Sequence, residues 1–259
     1  MDFVQTLEHH ILDHVFLRLR IGVLSLPVSR HAIMLWLSAA AAVTVFPLVA
    51  RSARSGRRTP AVVAVESLVV FVRDDIVIPS IGEEGRKYLS YFLSLFVFIL
   101  LMNLLGLVPL DALRFLGFPS VSGTATGNVA VTGGLALLTF LLINIAGIRE
   151  QGFFAYFRHL APTGLPAWLL PLMYPVELLG MLTKSFALTI RLFANMIAGH
   201  IVMLAFLGLV FMFHKFWIAP LSVAAAVGIV LLDVFVAVLQ AYIFTLLSAI
   251  FVGGAVHSH

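Results

Sequence analysis

Residues 167–213 read AWLLPLMYPVELLGMLTKSFALTIRLFANMIAGHIVMLAFLGLVFMF, and after only His214 and Lys215 a second apolar run, residues 216–252, reads FWIAPLSVAAAVGIVLLDVFVAVLQAYIFTLLSAIFV. As helices rising ~1.5 Å per residue they would be ~70 Å and ~55 Å long, against a bilayer hydrocarbon core of ~30 Å. Ordinary upright spans do not fit. The runs either break at Pro171, Pro175 and Pro220 or lie strongly tilted; a strongly tilted helical hairpin, trimmed at those prolines, is the expectation. Gly253 and Gly254 are expected to close the second helix as C-terminal punctuation.

The rest of the chain is of the same kind. It is 61% hydrophobic and 11% charged, with a mean hydropathy of +1.09, whereas a soluble domain is ~45–50% apolar and ~25% charged. Apolar runs long enough to span recur along it, so a single targeting sequence does not account for them. The net charge of +4 comes from basic residues scattered through loops, which argues against nucleic acid as a partner. The absence of cysteine excludes disulfides, thiolate metal sites and a Cys nucleophile. No phosphate-binding G-x-x-x-x-G-K, no H-E-x-x-H and no G-x-S-x-G occurs, so no catalytic site, cofactor or metal is expected in the chain itself.

These features predict an all-α membrane protein, residues 1–259 forming a single integral membrane domain of about five embedded helices plus an interfacial segment. Residues 1–30 are a polar N-terminal segment, expected as a short interfacial helix; its His9, His10, Asp13 and His14 read as exposed polar residues rather than metal ligands. Spans are expected over residues 32–50, 88–110 and 129–148. Residues 61–77 carry Glu66, Arg73, Asp74 and Asp75 and are expected to lie along the inner face, and residues 117–127 form a loop. With five crossings the inside loops hold Arg51, Arg54, Arg57, Arg58, Arg73, Arg86, Lys87, Arg149 and Arg158. The outside holds Arg18, Arg20, Arg30, Arg114 and Lys215, and this excess places the N-terminus outside and the C-terminus inside. No internal repeat is evident, which argues against a carrier built from inverted repeats.

Ionisable residues inside the two long runs are few: Glu177, Lys184, Arg191 and His200 on the first, Asp233 alone on the second. A charge at mid-bilayer costs ~2.5–3.5 kcal/mol on insertion scales, so an intramembrane arginine is a functional candidate unless it reaches an interface. Arg191 has more than twenty residues on either side within its run. At 3.6 residues per turn, Gly180, Lys184, Ala187, Arg191, Ala194, Ala198 and Ala205 form one stripe, small apart from its two cations. Such a stripe admits close approach of another helix, and no carboxylate of this chain obviously faces it. The acid that pairs with Arg191 is therefore expected on another chain. Glu177 suits the helix dipole near its start. His200 lies ~180° around the helix from Arg191, while Asp233 and Gln240 share a face of the second helix. His200 and Asp233 could form a proton relay or a structural ion pair, and Asn195 could make a helix–helix hydrogen bond.

The stretch Arg191-Leu-Phe-Ala-Asn-Met-Ile-Ala-Gly199, preceded by Tyr174-Pro-Val-Glu177 and followed by Leu239-Gln-Ala-Tyr-Ile-Phe244, resembles subunit a of the F-type rotary ATP synthase. Met102-Asn-Leu-Leu-Gly-Leu-Val-Pro109 and Thr126-Gly-Asn-Val-Ala-Val-Thr132 extend the resemblance, which covers roughly residue 88 to the C-terminus. It implies a stator subunit that abuts a rotor ring of c-type subunits bearing membrane carboxylates, within a complex that also holds peripheral-stalk b-type subunits and an ATPase head. It implies an energy-coupling membrane, the bacterial inner membrane. Arg191 would be the family's essential arginine, with Asn195 and Gln240 as polar positions near it. Glu177 would lie by the inner half-channel, and His200 with Asp233 in the outer one, in the order found in mitochondrial forms. Ala130 departs from the Asn of many relatives. A stand-alone ion channel or secondary carrier, or a scaffold subunit, would also explain the apolar bulk, but not an arginine on a small-residue stripe without an internal counter-ion.

Overall fold

The computed structural model describes residues 15–21, 24–56, 58–108, 125–154, 156, 169–213 and 218–256. Helix dominates them, and the membrane-embedded part is all-α as expected. The N-terminal segment departs from expectation. In place of an interfacial helix, β1 (Val15–Ile21) and β2 (Leu24–Ser29) pair antiparallel, Leu17 opposite Val28 and Ile21 opposite Leu24, with an irregularity between Val15 and Leu17. The sequence VFLRLRI alternates apolar and basic residues with period two, the pattern of a strand and not of a helix. Pro27 is tolerated because a two-stranded sheet consists of edges. His9, His10, Asp13 and His14 lie outside the described residues.

Helix α1 (Arg30–Arg54) starts where Ser29 Oγ accepts from Ala32 N at 3.4 Å, and it stops at Gly56, whose φ of 73° is the left-handed conformation that ends helices. Helix α2 (Pro60–Phe71) begins with Pro60 in its first turn and Thr59 Oγ1 accepting from Val62 N at 3.3 Å. A π-helical turn, Val72–Val77, continues it into the short α3 (Ile78–Ile81) and a 3₁₀ turn, Glu83–Tyr88. Helix runs without a break from Pro60 to Ile81, and with Glu66, Arg73, Asp74 and Asp75 in it this stretch is not among those apolar enough to cross a membrane. Helix α4 (Leu89–Leu107) follows. After the 3₁₀ turn Ala125–Gly127, Asn128 Oδ1 accepts from Ala130 N at 2.8 Å and caps α5 (Val129–Gln151).

The last two helices are α6 (Leu170–Phe213, 44 residues) and α7 (Ile218–Val256, 39 residues). Pro175 does not break α6, and Pro171 and Pro220 fall in the first turns of the two helices, where a missing N–H is harmless. Breaks at the prolines are thereby excluded. At ~1.5 Å rise per residue the two helices are ~66 Å and ~58 Å long, about twice a ~30 Å hydrocarbon core. Four stretches of the described residues are long and apolar enough to cross a membrane: His31–Arg54, Glu83–Leu107, Val129–Gln151 and Pro220–Val256.

The expected stop at Gly253 and Gly254 is not found. The helix runs through both to Val256, and Gly253 is buried where a Cβ would collide with the main-chain oxygen of Ser80. The glycine serves backbone-to-backbone contact, not termination.

Contacts divide the chain into two compact units: residues 1–47, 97–131 and 192–241, and residues 48–96, 132–191 and 242–259. Of the residues assigned inside by charge, Arg51, Arg54, Arg58, Arg73, Arg86, Lys87 and Arg149 all fall in the second unit. In that unit Lys87 Nζ donates to Glu150 Oε1 at 2.5 Å, tying the start of α4 to the end of α5. Gln151 Nε2 donates to Ala255 O at 2.6 Å, Tyr156 Oη donates to Asn144 Oδ1 at 3.1 Å, and Phe71 packs against Phe96 and Tyr242 with ring centroids 5.9 Å apart. In the first unit the buried face of α7 runs through Asp233, Ala237, Gln240 and Ala241.

Candidate functional site

Helix α6 has two contrasting sides. Thr189, Leu192 and Met196 are buried, with Leu192 at 0% exposure. Ala187, Arg191, Ala194, Ala198 and Ala205 are all exposed, so the small-residue stripe read from the sequence is an open surface of this chain. No described residue forms an ion pair with Arg191. Large apolar side chains, Leu179 at 61% and Phe186 at 65% exposure, flank the stripe. The result is a cation standing on a surface otherwise suited only to lipid or to another apolar helix. Glu177, Lys184, Asn195 and His200 lie on α6, but their side chains are outside the described residues.

On α7, Asp233 and Gln240 are buried on one face, as their seven-residue spacing predicts, whereas Val234, Phe235, Val238 and Leu239 between them are exposed. Asp233 Oδ2 is fully enclosed and finds no hydrogen-bond donor among the described residues. Burying a carboxylate oxygen without a donor is costly, which marks the position as one kept for more than packing.

Gly199 explains how Asp233 is seated. A Cβ built on Gly199 would lie 2.5 Å from Asp233 Oδ1, 2.8 Å from Oδ2 and 2.9 Å from Cγ, so the carboxyl rests against the bare backbone of α6 one residue before His200. The sequence reading missed Gly199. Its signal was available, since a glycine within a long helix costs ~1 kcal/mol against alanine and implies a compensating close approach. Gly199→Ala is expected to displace the Asp233 carboxyl and to destabilise the protein by ~1–3 kcal/mol, the range for overpacking, against the ~1 kcal/mol its gain in helix propensity returns. The check is thermal stability in detergent; a raised midpoint would show that the carboxyl is not seated closely on Gly199. Among the described residues no three His, Cys, Asp or Glu side chains converge to hold a metal ion.

The family described as ATP synthase A chain matches residues 32–253. The chain belongs to the ATP synthase subunit a family. It is 45% identical to ATP synthase subunit a of Myxococcus xanthus, over 92% of this chain and 77% of that protein. The same subunit of Chloroherpeton thalassium is 41% identical over 96% of this chain and 75% of its own length. That of Anaeromyxobacter dehalogenans is 45% identical over 92% of this chain, but only 60% of the longer relative is covered. Membership of this family places the chain in ATP synthesis and ion transport, as a membrane protein with several spanning-length helices. The matched region takes in all of α6 from Leu170 and α7 up to Gly253, and with them every candidate residue described above.

Proposed function

We propose that this chain is the stator of a proton-driven rotary ATP synthase in a bacterial inner membrane, forming two half-channels that pass protons to and from carboxylates on a rotor ring. The observation that carries the proposal is the exposed Arg191 on a stripe of exposed small residues, with no counter-ion among the described residues. A ring of c-type subunits with membrane carboxylates supplies both the missing helix face and the missing charge. Peripheral-stalk b-type subunits and the ATPase head complete the complex, and the bilayer covers the remaining apolar surface.

Arginine stays protonated at any relevant pH, so Arg191 holds a passing carboxylate ionised without carrying a proton itself. It thereby separates the two half-channels. His200 and Asp233 serve the outer path, Glu177 the inner one, and Asn195 and Gln240 act near the arginine. A carboxylate must be neutralised from the outer path before it can face lipid, and it releases its proton to the inner path beyond Arg191. The membrane potential supplies ~2.3 kcal/mol per charge per 100 mV, and the offset of the paths turns this into rotation in one direction.

Purification in mild detergent tests the assembly. The chain should bring down a ring of small hairpin subunits together with the ATPase head. Recovery of a functional ion-conducting chain free of them would point instead to a stand-alone channel or carrier.

A further inference from the structure

Two stretches that stand out in the sequence, residues 102–109 and 126–132, have no part in the mechanism above, and they meet at one buried point of the first unit. Asn103 of α4 and Thr126 of the 3₁₀ turn are both 0% exposed. Thr126 Oγ1 donates to Asn103 Oδ1 at 2.9 Å. That bond occupies the amide oxygen and turns the amide nitrogen toward α7, where Nδ2 donates to Ala237 O at 3.5 Å. Ala237 lies one turn after Asp233 and one turn before Gln240 on the buried face of α7.

An apolar side chain would fill this place without the desolvation that burying an amide and a hydroxyl entails. What the polar pair adds is direction, because a hydrogen bond to one main-chain oxygen specifies a rotational setting that apolar packing alone leaves loose. We propose that Asn103 and Thr126 form a positioning pair that sets the rotation of α7 about its axis and so keeps Asp233 and Gln240 in the ion path. The proposal rests on the stator reading given above. A slip of one residue turns a helix by ~100°, enough to exchange Asp233 for its exposed neighbours Leu232 or Val234.

The chain has no cysteine, so single thiols placed in turn at residues 234–239 report which side of α7 meets water. They are to be labelled with a water-soluble maleimide in vesicles carrying the whole ATP synthase. Asn103→Leu should shift the reactivity maximum along the helix by at least one position and lower ion-driven synthesis by about tenfold, the order expected for one buried hydrogen bond. Thr126→Val should shift it the same way, and the double variant no further, because both remove one unit. An unchanged labelling pattern in Asn103→Leu overturns the proposal, as does a shifted pattern with full synthesis. Labelling does not depend on turnover, so failure here is distinct from failure of the stator reading, which Arg191→Ala addresses.

Discussion

Arg191→Ala is expected to abolish ion-driven ATP synthesis while the complex still assembles. The exposed small residues Ala187, Ala194 and Ala198 remain to pack against the ring, so the variant loses a charge and not a surface. Without the fixed cation a proton can pass from one half-channel to the other with no rotation, and passive permeability of the membrane sector should persist or rise. Arg191→Lys should fail as well, since lysine lacks the planar fork that engages a carboxylate and deprotonates more readily when desolvated. The measurements are acid-driven synthesis in vesicles and passive proton flux after the head is stripped. Synthesis should fall by at least about a hundredfold, the order reached by removing one preorganised charge stabiliser. Substantial synthesis by the alanine variant in an intact complex would make Arg191 a structural residue and refute the mechanism.

The largest effect on the fold is expected at Gly253. Its Cβ position is already occupied by the main-chain oxygen of Ser80, with the Ser80 carbonyl carbon 3.1 Å and Ile81 Cα 3.5 Å away. None of these is the flexible end of a side chain, so a substituent forces α7 and the end of α3 apart. Gly253→Val should destabilise the subunit by ~3 kcal/mol, the upper part of the range for overpacking, and reduce its accumulation in the membrane. Gly254 is the matched control. Nothing lies within 4 Å of its Cβ position, and alanine there should be neutral or stabilising by up to ~1 kcal/mol through helix propensity. Equal thermal stability of Gly253→Val and Gly254→Ala in detergent would show that the contact with Ser80 is not closely packed in the protein.

The contrast between these glycines marks where sequence reasoning stops. Periodicity and charge located the long helices within a few residues of their observed ends, because an apolar run in lipid has little choice but helix. The stripe through Arg191 and the shared face of Asp233 and Gln240 followed from 3.6 residues per turn alone. Gly253 was misread because a glycine near a helix end looks the same in sequence whether it caps the helix or admits a neighbour. Gly199, Asn103 and Thr126 act through partners 34, 134 and 23 residues away in the chain, respectively Asp233, Ala237 and Asn103, and no local pattern encodes such pairings. The N-terminal hairpin is legible in the alternation of VFLRLRI, a pattern that the mixed polar composition of residues 1–30 taken as a whole obscures.

The exposed guanidinium also bears on how such a chain is made. On the stator reading, a newly inserted copy not yet covered by a ring carries Arg191 on a face flanked by Leu179 and Phe186 that would otherwise dissolve in lipid. At ~2.5–3.5 kcal/mol for one such charge, the orphan chain carries a penalty comparable to a large share of the stability of an ordinary domain. Assembly removes that penalty, so the residue that would organise ion transfer also marks an unassembled copy as incomplete. On that reading, assembly with a ring already in place is favoured over accumulation of unpartnered copies.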